Sequence, residues 1–91
     1  MITTDAEAQR RILNRLRRAR GQLDAVIAAV EYGRPCRDVV TQLSAVSSAL
    51  DRAGFAIVST AMKDCLADPE SAAAEEGLTT DELEKLFMML A

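Results

Sequence analysis

The run CRDVVTQLSAVSSALDRAGFAIVSTAMKDCLA, residues 36–67, decides the fold of this 91-residue chain. It contains no proline, and its one glycine is Gly54. Val39, Val40, Leu43, Val46, Leu50, Ala53, Ile57 and Ala61 recur at three- and four-residue steps, the period of one helix face. Pro35 suits the first turn of such a helix, where its missing N–H has no partner to lose. Asp68-Pro69 breaks the pattern at the far end. The reading is one long helix to about Ala67. Gly54 costs it about 1 kcal/mol relative to alanine and is taken as a point of close packing, not as an end.

Upstream, Ile12, Leu16, Ala19, Leu23, Val26 and Val30 line one face of an earlier helix. Thr4 is placed to cap it, with Glu7 completing a capping box. Tyr32-Gly33 ends it, because glycine readily takes the left-handed stop. Downstream, the stretch from Glu70 to Gly77 is rich in Ala and Glu and reads as a loop or a loosely held turn. Thr79 then caps a short last helix, with Glu82 three residues on and Leu83, Leu86, Phe87 and Leu90 as its apolar residues. The expectation is an all-α chain, one domain over residues 1–91, built as long, long and short helix.

Composition agrees with helices packed along seams: aromatic residues make up 3% of the chain and tryptophan is absent. A lone core of this size buries only about 60–65% of the unfolded surface, so stability is marginal without help. Two cysteines make no disulfide framework and histidine is absent, which leaves oligomerisation as the expected help. Residues 1–10 lack an apolar signal region, and no apolar stretch approaches the roughly 20 residues that span a bilayer. A cytoplasmic protein without a membrane partner is expected. In that compartment a cysteine pair points to sensing, catalysis or metal binding more than to structure.

The net charge of −3 conceals a split. Residues 1–54 carry nine basic and six acidic side chains, and residues 55–91 carry two and eight. The basic half is densest at Arg10, Arg11, Arg15, Arg17, Arg18 and Arg20. Such a helix is either a solvated face or an electrostatic footprint for nucleic acid.

Helix geometry constrains the two thiols. Cys36 and Cys65 are 29 residues apart, so at 100° per residue they face within about 20° of each other. At 1.5 Å per residue they stand about 43 Å apart, far beyond the roughly 7 Å that a disulfide spans. They cannot meet within one chain. Two copies of the helix packed antiparallel would bring each Cys36 to the partner's Cys65, with the crossing between Leu50 and Asp51. A two-fold interface has that symmetry. Cys36 lies in the first helical turn, where the dipole and unpaired N–H groups favour a thiolate, and Arg34 and Arg37 add positive potential. Cys36 is read as the attacking thiol and Cys65 as the resolving one. The plain alternative is two small buried hydrophobes.

The segment RILNRLRRARGQLDAVIAAVE (Arg11 to Glu31), then CRDVVTQLSAVSSALDRAG (Cys36 to Gly54) and Cys65, resembles the copper-sensitive operon repressor family over roughly residues 9–90. That family also holds nickel/cobalt, formaldehyde and persulfide sensors. The resemblance implies three-helix protomers, antiparallel dimers and tetramers. It implies binding to operator double-stranded DNA without a helix-turn-helix, and release when the inter-subunit site is occupied or modified. Copper-sensing members carry a histidine four residues before the second cysteine, where this chain has Ala61. Met62 lies about 100° from Ala61 on the helix and reads as core. Two thiols without imidazole resemble the persulfide-sensing branch, whose inducer is a persulfide or polysulfide. No cofactor or metal is then expected. Cu(I) held by Cys36 and Cys65 alone is the alternative, since a soft ion accepts two thiolates.

On the first helix Arg11, Arg15 and Arg18 share a flank. By resemblance, Arg15 and Arg52 fall on the DNA-binding face, with Arg18, Arg11 and Gln42 as neighbours. Arginine forks suit phosphate and guanine edges equally. A thiol enzyme is a poor fit, because the chain lacks histidine, a C-x-x-C motif and a glycine-rich loop. A purely structural oligomer would leave the arginines solvated, and it gives no reason for two thiols on one face.

Overall fold

The computed structural model of the chain describes residues 5–71 and 79–91. Helix α1 (Ala6–Glu31) is followed by α2 (Cys36–Ala67), a single turn α3 (Pro69–Ser71) and α4 (Thr80–Leu90). There is no strand among the described residues, and the order is long, long and short as expected.

Helix α1 opens on Asp5, whose carboxylate accepts the Glu7 N–H at 3.0 Å. Thr4, expected as the cap, lies outside the described residues and its capping box with it, and Glu7 pairs with Arg10. Aspartate serves this position because its oxygen accepts as well as a hydroxyl does and its charge opposes the helix dipole. The far end is a glycine stop. Gly33 has φ 66°, the Arg34 N–H donates to the Ala29 carbonyl at 2.9 Å and the Gly33 N–H to Val30 at 3.2 Å. Both bonds of the Schellman pattern are present.

Pro35 sits in the cap position of α2, one residue earlier than expected, and gives the helix no side-chain cap. Its carbonyl accepts the N–H groups of Asp38 and Val39. Cys36 is therefore the first helical residue. The helix ends at Ala67, and Asp68-Pro69 breaks it as the sequence requires. Of the stretch from Glu70 onward, Glu70 belongs to the turn α3 and residues 72–77 lie outside the described residues.

The protomer core is narrower than the apolar stripes. From α1 it takes Ala8, Ile12, Ala19, Val26 and Ala29; from α2 it takes Val46, Ala53, Gly54, Val58, Ala61 and Cys65. Leu16, Leu23 and Val30 of the first stripe remain exposed, and Val40, Leu43 and Leu50 of the second are 50–56% exposed. The alanines among the buried set let the helices approach closely, which leaves the larger residues at the rim.

Helix α4 is capped as expected, the Thr79 hydroxyl accepting the Glu82 N–H at 3.2 Å. It covers the C-terminal half of α2. Leu83 is 1% exposed and clusters with Ala61 and Cys65. The Phe87 ring meets Phe55 with centroids 5.4 Å apart. The Leu90 methyls lie 3.2 and 3.3 Å from where a Cβ on Gly54 would stand, so Gly54 does provide a close approach. The protomer measures 53 × 26 × 14 Å, a layer little more than one helix thick. No helix among the described residues is long and apolar enough to cross a membrane.

Candidate functional site

Arg15, Arg18 and Gln22 follow one another at steps of three and four along α1, so they form one stripe. Ser48 and Arg52 are four apart on α2. The two stripes line a cleft of about 300 Å³, with Ala45 and Ala49 also in its wall. Small residues there keep the cleft open. Among the described residues no acidic side chain lines it. The amide oxygen of Gln22 is buried, and it has no hydrogen-bond partner among the described residues.

Three of the arginines singled out in the sequence are thus gathered at one place. Arg11 is exposed one turn before Arg15 and continues the stripe past the cleft. Gln42 is exposed one turn before Ala45 and does not line it. Gln22 and Ser48 were not distinguished by sequence reasoning. The signal was present in their spacing, four residues after Arg18 and four before Arg52.

The thiols lie at the two ends of α2 in contrasting surroundings. Cys36 is exposed at the first helical position, and Cys65 is 3% exposed beneath Leu83. A shared helix face does not give them shared exposure, because α4 covers one end of that face only. Helix rise sets them about 43 Å apart, so one protomer does not join them. Among the described residues no three His, Cys, Asp or Glu side chains are grouped to hold a metal ion. Ala61, one turn before Cys65, is buried against the same Leu83, so the thiol has apolar neighbours on that side. Met62 is 41% exposed and stands outside the buried cluster, against its reading as core.

Comparison with known proteins places this geometry in context. A family model described as metal-sensitive transcriptional repressor matches residues 8–89. The copper-sensing transcriptional repressor CsoR of Mycobacterium ulcerans is 42% identical over 59 residues, 65% of this chain and 50% of that protein. The repressor of the same name from Mycobacterium tuberculosis H37Rv is 39% identical over 57 residues, 63% of this chain and 48% of that one. The uncharacterized protein YrkD of Bacillus subtilis is 43% identical over 56 residues, 62% of this chain and 82% of its own length. The match thus spans about half the length of the mycobacterial repressors. No solved structure matches the chain.

Proposed function

The chain belongs to the metal-sensitive transcriptional repressor family, and from that premise we propose that it is an operator-binding repressor released through a two-thiol site shared between protomers. The family is one of repressors, not enzymes, and repression implies contact with DNA. The observation that carries the reading is the convergence of Arg15, Arg18 and Arg52 on a cleft without acidic residues. Phosphate contacts by such residues fix a protein on duplex DNA and make its affinity salt-dependent.

Assembly supplies what the single chain lacks. Cys36, Leu43 and Leu50 follow at steps of seven on α2 and are exposed, while Cys65 lies on the same side of the helix farther along. A second copy packed antiparallel covers that row and sets each Cys36 opposite the partner's thiol. Homodimers, paired into homotetramers, would repeat the cationic cleft and offset the acidic C-terminal half.

The absence of histidine and the apolar neighbours Ala61 and Leu83 support a persulfide as inducer. The Cys36 thiolate attacks the outer sulfur of a persulfide RSSH, forming Cys36–S–SH and releasing RS⁻. The thiolate of the partner's Cys65 then attacks the Cys36 sulfur, closing a disulfide and expelling HS⁻. Two thiols are oxidised and the sulfane sulfur is reduced to sulfide. A second reading, Cu(I) held by the two thiolates, is supported by the relatives, whose names describe copper sensing. A cytoplasmic setting suits either chemistry, since both need reduced thiols.

One experiment separates them. The reduced protein is used to enrich a duplex from a random-sequence pool, then treated with glutathione persulfide or with Cu(I), and followed by intact mass and DNA binding. The expected result is a covalent dimer at the disulfide mass, with DNA released. Release by stoichiometric Cu(I) alone assigns the copper reading. Failure to enrich any duplex, or retention of DNA by Arg15→Ala and Arg52→Ala, would sink the DNA assignment.

A further inference from the structure

We infer that the cleft between α1 and α2 seats one phosphate group of a nucleic-acid backbone, with Gln22 as the residue that positions its guanidinium groups and Ser48 as a neutral donor. The inference rests on the DNA-binding reading and adds residues and a ligand chemistry to it. Three arginines line one space with no carboxylate among its described lining residues, and an anion that enters relieves the repulsion among their like charges. The space, about 300 Å³, is roughly ten times a water molecule's share of liquid volume, so a phosphate fits with part of its hydration.

The acceptor balance singles out Gln22. Each guanidinium offers five N–H donors in a rigid fork, and a phosphate oxygen pair takes two of them. The remaining donors need acceptors that hold the fork in place. Among the described residues, the buried Gln22 amide oxygen is an acceptor with no donor. Arg18 lies one helical turn before it, within reach of a side-chain pair at i, i+4. One guanidinium edge on Gln22 leaves the other edge for the phosphate. The Ser48 hydroxyl, opposite on α2, can rotate to donate to a phosphate oxygen. Ala45 and Ala49 beside it leave the approach clear.

The test is equilibrium binding of the enriched duplex across salt concentrations, with variants checked for unchanged helicity. Gln22→Met keeps the length of the side chain and removes the amide. It is expected to weaken DNA binding about tenfold while leaving the slope of log affinity against log salt unchanged, because no charge is lost. Gln22→Glu keeps an acceptor but neutralises one guanidinium, so the slope falls by about one. Arg15→Ala and Arg52→Ala lower both affinity and slope. If these two lose DNA while Gln22→Met and Ser48→Ala bind like the unaltered protein, the seat is refuted and the DNA reading survives. If the arginine variants also bind normally, that reading falls as well. Inorganic pyrophosphate distinguishes the source of the phosphate. Weak competition in the millimolar range fits a backbone contact, and displacement of DNA at micromolar concentration would overturn it in favour of a free oligophosphate.

Discussion

At Ala61 the chain has a methyl group where copper-sensing relatives by resemblance have a ligand, and packing makes that position exacting. Ala61 is 9% exposed, one turn before Cys65 and in contact with the Leu83 cluster. Ala61→His therefore adds a large polar ring to a filled apolar site. We expect it to destabilise the protein by about 1–3 kcal/mol in the absence of metal, read as a lower Tm. Cu(I) should restore that loss if the imidazole joins the thiolates, by linkage of binding to stability. An unchanged Tm with and without Cu(I) would show that the position is neither packed nor near a copper site. Gly33 gives a second residue-scale test. Its φ of 66° is left-handed, and nothing lies within 4 Å of an added Cβ. Gly33→Ala thus pays only conformational strain, about 1–2 kcal/mol, measurable by denaturant unfolding. Both signals stand in the sequence, in the Tyr32-Gly33 stop and in the spacing of Ala61 to Cys65. Aspartate as the first cap was missed because Thr4 and Asp5 are adjacent residues that can each fill the role.

Helix α4 sets the exposure of the two thiols apart. It lays Leu83 over Cys65, Phe87 on Phe55 and Leu90 on Gly54, while Cys36 at the other end of α2 has no such cover. Labelling of reduced Leu50→Glu protein, in which no second copy covers Cys36, with a maleimide should modify Cys36 at least about tenfold faster than Cys65, since the second must wait for local opening. In a Cys36→Ser background, Leu83→Ala should speed labelling at Cys65 while α1 and α2 stay helical. Equal rates at the two thiols would mean that α4 does not rest where it is described. The existence and order of the helices were legible because period and punctuation agree: proline before α2, Asp68-Pro69 after it, Thr79 before α4. The packing of α4 was not legible. Periodicity marks which residues are apolar on a helix, but Leu83, Leu86, Phe87 and Leu90 look alike in sequence. Only tertiary contact buries the first and leaves the last 50% exposed.

At the scale of the molecule, the thinness of the protomer is the fact to explain. Its radius of gyration is 16.5 Å, against about 12 Å expected for a compact chain of this length. A two-helix layer buries one side of each helix and needs a second layer to cover the other. On α1 the buried Ile12 and Ala19 lie between the arginine flank and the exposed Leu16, Leu23 and Ile27, which stand roughly 130° round from the arginines. The cationic and apolar surfaces are thus separated, and covering one leaves the other open. Sequence spacing foresaw the arginine flank but not the cleft, because Ser48 and Arg52 join it only through the pairing of α1 with α2. The same spacing overstated the core, because α1 and α2 bury only part of each apolar stripe against one another. A second copy as the covering layer is tested at its most sensitive point by Leu50. With Cys36 opposite the partner's thiol, the two-fold axis passes between Leu50 and Asp51, so a change at Leu50 meets its own copy. Leu50→Glu sets four carboxylates of two chains together at a site that is 50% exposed in the single protomer. The variant should sediment as a monomer at micromolar concentration, and its Tm should lose the concentration dependence expected of the unaltered protein. Asn14→Glu, exposed on the arginine side of α1 and away from that axis, should leave the assembly intact. If the unaltered protein is itself monomeric at 100 µM, with a Tm independent of concentration, no second copy covers this face and Cys36 has no partner thiol to meet.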